Sequence, residues 1–133
     1  MITLLSDHNC AGQAKRIQYS LQKLGYADWL GLKIVLFKAS GLPVAATDEQ
    51  VWRFCQEHDY YLLTGNRSAK GGVVSLHTIL DQLSDEKSLP VITIGNPRRV
   101  IVDNAYCRAC AEAIVDIALY PEFYRGIPRL YIP

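Results

Sequence analysis

The feature that most constrains the fold of this chain is an alternation of short apolar runs with stretches of helical periodicity. The apolar runs are rich in branched side chains, as buried strands are. They occupy residues 2–6, 32–37, 60–64 and 91–94, and residues 129–132 form a last candidate. Polar or glycine-containing loops follow most of these runs, so the sequence predicts strands that end abruptly.

Helices are predicted between these strands from apolar residues at helical spacing. Thr47 and Gln50 fit a capping box, Asp103 fits the N-cap of a later helix, and Gly25 fits a left-handed C-cap. The predicted helices begin near residues 12, 47, 76 and 103. Because strands that alternate with helices build a parallel sheet covered on both faces, we predict an α/β fold. The expected architecture is a three-layer α/β/α sandwich with a mainly parallel central sheet.

Length and charge limit the function further. The chain has 133 residues, half of them hydrophobic, which is enough to bury a core in one domain spanning residues 1–133. It opens without the basic segment and apolar run of a secretory signal, and no apolar run reaches membrane-spanning length. These features predict a soluble, cytoplasmic protein with no membrane partner. The formal charge of +1 argues against broad coating of nucleic acid, so any such contact must be local.

Four cysteines, at positions 10, 55, 107 and 110, are interpreted as reduced thiols. Cys107 and Cys110 have the C-x-x-C spacing found in zinc and redox sites. A zinc site would need a second pair at comparable spacing, whereas the other two cysteines are isolated. The pair also lies in a helical context. We therefore expect it to pack within a helix rather than to bind metal.

Acidic residues follow the predicted strands or open the predicted helices. Ligands of open parallel sheets bind beyond the carboxyl ends of the strands, which is where Asp7, Asp48 and Asp103 are expected. Clustered carboxylates suit Mg²⁺ or Mn²⁺, which can activate water against a phosphodiester. The structural alternative is that Asp7 makes an Asx-turn, Asp48 complements a helix dipole and Asp103 is an ordinary N-cap.

Other polar residues stand in the same loops. Thr64, Arg67 and Lys70 lie in or beside a glycine-containing loop that can cradle a phosphate at the next helix, although the spacing is not that of a P-loop. A solvated connection between strand and helix is the alternative. His8, beside Asp7, is a candidate base or ligand, with solvation as its simpler explanation.

Three short segments carry a family resemblance. They are Leu4-Leu5-Ser6-Asp7-His8-Asn9, Ala46-Thr47-Asp48-Glu49-Gln50-Val51 and Leu62-Leu63-Thr64-Gly65-Asn66-Arg67. Together they resemble PIN-like domains, especially the small family related to the Mut7 C-terminal domain, over about the first half of the chain. The resemblance implies a parallel α/β/α sandwich and metal-dependent cleavage of RNA, with acids after the first strand and at the start of the second helix. It also suggests toxin-type ribonucleases that pair with an antitoxin.

The chain departs from the family pattern after the third strand. Where that pattern has an acid two residues beyond the threonine, and often another two residues later, this chain has Asn66 and Ser68. An asparagine coordinates through its carbonyl oxygen but brings no negative charge, so a divalent cation should be held less tightly. The departure favours the alternative of a non-catalytic relative that binds nucleic acid or protein.

The leading hypothesis is a Mg²⁺- or Mn²⁺-dependent endoribonuclease of PIN-like type with a degenerate acidic site. The candidate partners are RNA, an antitoxin-like protein and a second copy of the chain. The expected roles are catalysis for Asp7, Asp48 and Asn66, metal binding for Asp7, Asp48 and Asp103, and substrate binding for Asn9, Thr64, Arg67 and Lys70.

Overall fold

A five-stranded sheet forms the centre of the protein. A computed structural model describes residues 2–65 and 76–133. The strands are β1 (Ile2–Ser6), β2 (Leu32–Leu36), β3 (Tyr61–Thr64), β4 (Val91–Ile94) and β5 (Arg129–Ile132). They lie in the order β2-β1-β3-β4-β5, and every neighbouring pair is parallel. The α/β class is therefore confirmed, with a sheet that is wholly parallel in the described part of the chain.

Helices cover both faces of this sheet. They are α1 (Ala11–Lys23), α2 (Tyr26–Leu30), α3 (Asp48–His58), α4 (Leu76–Leu83), α5 (Pro97–Val102), α6 (Asn104–Leu119) and α7 (Pro121–Tyr124). Side chains of successive strand residues point to opposite faces, so Leu4 and Leu63 pack with α1 and α6 while Leu5 and Leu62 pack with α3 and α4. The result is a helix, sheet and helix arrangement with one apolar cluster on each side.

Local sequence signals set most of these boundaries. The capping box is present, because the Thr47 hydroxyl accepts from the Gln50 amide at 3.2 Å and the Gln50 side chain accepts from the Thr47 amide at 2.8 Å. Gly25 adopts φ +85° immediately after Leu24, the C-cap residue of α1, as the predicted left-handed position requires. Asp103 caps α6, which ends at Leu119. The predicted strand over residues 32–37 is one residue too long, since Phe37 begins a short 3-10 helix.

The topology identifies the carboxyl ends of β1 and β3 as the place where a ligand would bind. The helix that follows β1 packs on one face, whereas the helix that follows β3 in the described chain packs on the other. Neighbouring parallel strands whose connections leave to opposite faces open a crevice at their carboxyl ends, where α/β proteins bind ligands. Asp7 and Thr64 stand at this point. No helix among the described residues is long and apolar enough to span a membrane.

Candidate functional site at the carboxyl edge of the sheet

Asp7 is a buried carboxylate at the end of β1. Its backbone amide donates to the carbonyl of Leu63 at 2.8 Å, which continues the pairing of β1 with β3 by one residue. Its side chain caps the short 3-10 helix His8–Cys10 by accepting from the His8 amide at 2.8 Å. The Thr64 hydroxyl donates to Oδ2 at 3.2 Å, and His8 Nδ1 lies 2.9 Å from Oδ1. The side chain is thus held rigidly, with only 6 % of the residue exposed.

Asp48 is the second acid at this edge, at the first position of α3. Burial raises the pKa of its carboxyl, and the charge of Asp7 raises it further. A hydrogen bond from the backbone of Leu76 and the charges of His8 and Arg129 act in the opposite direction. The negative charge of Asp7 also contributes, after burial, to raising the pKa of Cys55 in α3 to about 12. Although 41 positions separate them in the chain, Asp7 and Asp48 are therefore close enough for the charge of Asp7 to raise the pKa of Asp48.

A row of polar side chains extends from Asp7 across the same face of the sheet. Thr64 and Thr93 are register partners on β3 and β4, and both are completely buried. The Thr64 hydroxyl is bonded to Asp7, whereas Thr93 Oγ1 has no hydrogen-bond partner in the part of the chain that the structure describes. The row therefore places one bonded and one unbonded hydroxyl side by side under α3 and α4.

Arg129 was not among the expected site residues. It starts β5, and its charge partly offsets the rise in the pKa of Asp48 that burial and Asp7 cause. A strongly basic residue inside a predicted buried strand was the available signal, since arginine is rarely buried without a partner. Thr93 was not expected at the site either, because its place in the sequence indicated only a residue of the predicted strand over residues 91–94.

The remaining expected residues fall into three groups. Asp103 Oδ1 accepts from the Tyr106 amide at 3.2 Å and Oδ2 accepts from Arg99 at 2.9 Å, and the bond from Arg99 is the main reason that its pKa is lowered. Asp103 therefore caps the N-terminus of α6 and also forms an ion pair with Arg99. Asn9 is exposed in the 3-10 helix after β1. Asn66, Arg67 and Lys70 lie outside the described residues, as does Ser68.

The four cysteines are free and buried. Cys107 and Cys110 both lie in the buried side of α6, where burial is the main cause that raises the pKa of Cys110 to about 12. Zinc requires the thiolate form, which such an environment disfavours. The position of this pair fits helix packing.

Asp7 and Asp48 carry carboxylate oxygens, which are the type of ligand that hard divalent cations such as Mg²⁺ prefer. Two carboxylates that repel each other in a partly buried place are stabilised when a cation lies between them. Mg²⁺ is commonly held by one or two carboxylates and retains several waters. Within residues 2–65 and 76–133, no group of three or more His, Cys, Asp or Glu side chains is arranged to hold a metal ion. Asp7 and Asp48 are the two carboxylates of the described residues that would hold such a cation.

Comparison with known proteins does not assign the chain to a family. No protein-family model matches it, and no curated protein or solved structure does so either. The case for any activity therefore depends on the residues themselves.

Proposed function

We propose that this protein is a PIN-like, cation-dependent endoribonuclease whose activity is centred on Asp7 and Asp48. The observation that supports the proposal most strongly is the electrostatic interaction between these two acids at the carboxyl edge of the sheet. Holding like charges near each other is unfavourable, and a bound cation is one arrangement that relieves the repulsion. The resemblance of the segments around Asp7, Asp48 and Thr64 to PIN-like domains supports the same proposal.

In this proposal, Asp7 and Asp48 hold Mg²⁺ or Mn²⁺, which supplies a more acidic water and charge neutralisation at the phosphate. Thr64 fixes the orientation of Asp7 through its hydroxyl. His8, which is largely exposed and bonded to Asp7 through Nδ1, would accept a proton from the water that adds to phosphorus, and the departing oxygen would take up a proton from solvent as the P–O ester bond breaks.

A non-catalytic binding module is the second candidate. It is favoured by the full set of donors around Asp7, which is what a purely structural N-cap would also have. The neutral Asn66, in a position where the family pattern has an acid, favours it as well.

Cleavage of a fluorescently labelled single-stranded RNA separates the two candidates. We expect weak cleavage by the parent protein with Mn²⁺ or Mg²⁺, none with chelator and none for Asp7→Asn, which also controls for contaminating nuclease. Asn66→Asp should raise the rate by about tenfold or more, because an added anionic ligand strengthens attraction for the cation. Equal background from the parent and Asp7→Asn, with an inert Asn66→Asp, would leave the binding module as the function.

A further inference from the structure

A groove between α1 and α6 concentrates positive charge that the chain as a whole does not have. Four of its nine lining residues are Lys or Arg, namely Lys15, Arg16, Lys23 and Arg108, and none of the nine is Asp or Glu. The groove has a volume of about 610 Å³. Because the whole chain carries a formal charge of only +1, this surface is a local basic patch rather than part of a general surplus.

The cations of this groove are available to a ligand. Arg108 shares its charge with Glu112 at 3.1 Å, but no carboxylate among the described residues forms an ion pair with Lys15, Arg16 or Lys23. Lys15 and Lys23 are eight residues apart on one helix, which at 1.5 Å per residue separates them by about 12 Å. One strand of a duplex advances about 3.4 Å per nucleotide and a more extended single strand advances further, so this length corresponds to at most about four phosphates.

An exposed aromatic ring stands among these cations. Tyr19 lines the groove between Lys15 and Lys23 along α1 and is 61 % exposed. The ammonium of Lys23 lies 6.0 Å from the centre of its ring. Proteins that bind single-stranded nucleic acid combine a basic groove for the backbone with aromatic rings on which bases stack. An acidic protein segment would use the cations but would leave the exposed ring without a matching group.

The groove also leads toward the two acids. Lys15 lines a second, smaller groove of about 390 Å³ together with His8 and Lys38, and His8 is bonded to Asp7. A strand lying on α1 therefore reaches the neighbourhood of Asp7 by passing Lys15.

We propose that the α1–α6 groove binds the backbone of single-stranded RNA, with a base stacked on Tyr19. The choice of RNA rests on the proposed function, whereas binding itself needs neither the cation nor cleavage. The groove would hold the strand while the acids at the sheet edge act on it.

Fluorescence anisotropy with a labelled twelve-nucleotide single-stranded RNA tests this proposal in the full chain. The measurement is made with chelator, so that binding is observed without cleavage. The test variant is Lys15→Ala/Lys23→Ala, and the control is Lys33→Ala/Lys87→Ala, which removes the same charge from exposed positions outside the groove. Circular dichroism verifies that all variants fold.

We expect the groove variant to weaken binding by about tenfold or more and to reduce the slope of log Kd against log salt by about 1.4, because each phosphate contact on a single strand contributes about 0.7. Tyr19→Ala should weaken binding by about fivefold or more, and Tyr19→Phe should not. The control should bind like the parent. Equal loss in both double variants, or none in the groove variant, would overturn the proposal.

Two competitors test the occupant. Tighter binding of a poly-glutamate peptide than of single-stranded RNA would show that the ligand is an acidic protein segment. Tighter binding of duplex RNA would show that the ligand is not a single strand.

The proposed nuclease activity and the proposed RNA groove can fail separately. Binding in chelator without cleavage in Mn²⁺ would defeat the nuclease but retain the groove, whereas cleavage with unaltered binding by the groove variant would do the reverse.

Discussion

Two neighbouring threonines provide a test of the site at the scale of single residues. Valine has nearly the shape of threonine, so Thr64→Val and Thr93→Val each remove one buried hydroxyl at matched register positions. Thr64→Val should lower the free energy of unfolding by about 1–3 kcal/mol, because it removes a donor from the buried carboxylate of Asp7. Thr93→Val should raise it by about 1 kcal/mol, since its hydroxyl has no partner among the described residues. Chemical denaturation measures both. Equal losses would mean that the hydroxyl of Thr64 has no special connection to Asp7.

Asp48 gives a prediction of pH dependence. Its raised pKa means that the folded protein keeps a proton there at pH values at which the unfolded chain has lost it, so stability falls as the pH rises through the folded-state pKa. In chelator at about pH 7, Asp48→Asn should therefore be more stable than the parent, and the difference should shrink at about pH 4. Thermal denaturation at the two pH values measures it. A variant that is less stable at both would show that the charge of Asp48 is favourable in the fold.

The start of α3 carries the prediction at the scale of elements. The capping box fixes the first turn of this helix, which holds Asp48. Thr47→Ala should lower the free energy of unfolding by about 1 kcal/mol, whereas Thr47→Ser keeps the hydroxyl and should have little effect. Because the same turn presents Asp48, cation affinity should fall in the alanine variant and be retained in the serine variant. Loss in both variants would point to the threonine methyl group rather than to the cap.

Elements were predictable where a local signal decides them. Strand β4 and helix α6 have the predicted bounds, because Val91–Ile94 is a compact apolar run and Asp103 is a strong cap. The short helices α2, α5 and α7 were not predicted. They are too brief for a periodic pattern, although α5 and α7 each begin with proline, which is common in the first turn of a helix.

At the scale of the whole molecule, the sequence places acids at strand ends but does not give their mutual distances. The bond between Asp7 and Thr64 depends on the register of β1 with β3, and the effect of Arg129 on Asp48 depends on the packing of β5 at the far edge of the sheet. Both are long-range features that no local pattern encodes. The cationic groove likewise requires α1 and α6 to lie side by side, although they are far apart in the chain.

Calorimetric titration of metal-free protein with Mn²⁺ tests the central claim most directly, which is that Asp7 and Asp48 hold one cation together. We expect the parent to bind one Mn²⁺ and both Asp7→Asn and Asp48→Asn to lose affinity by at least about tenfold, since each removes an anionic ligand. Asp28→Asn is the matched control, because it removes one exposed acid from α2. It should bind Mn²⁺ like the parent. Failure of the parent to bind Mn²⁺, or equal affinity in all four proteins, would contradict the shared site.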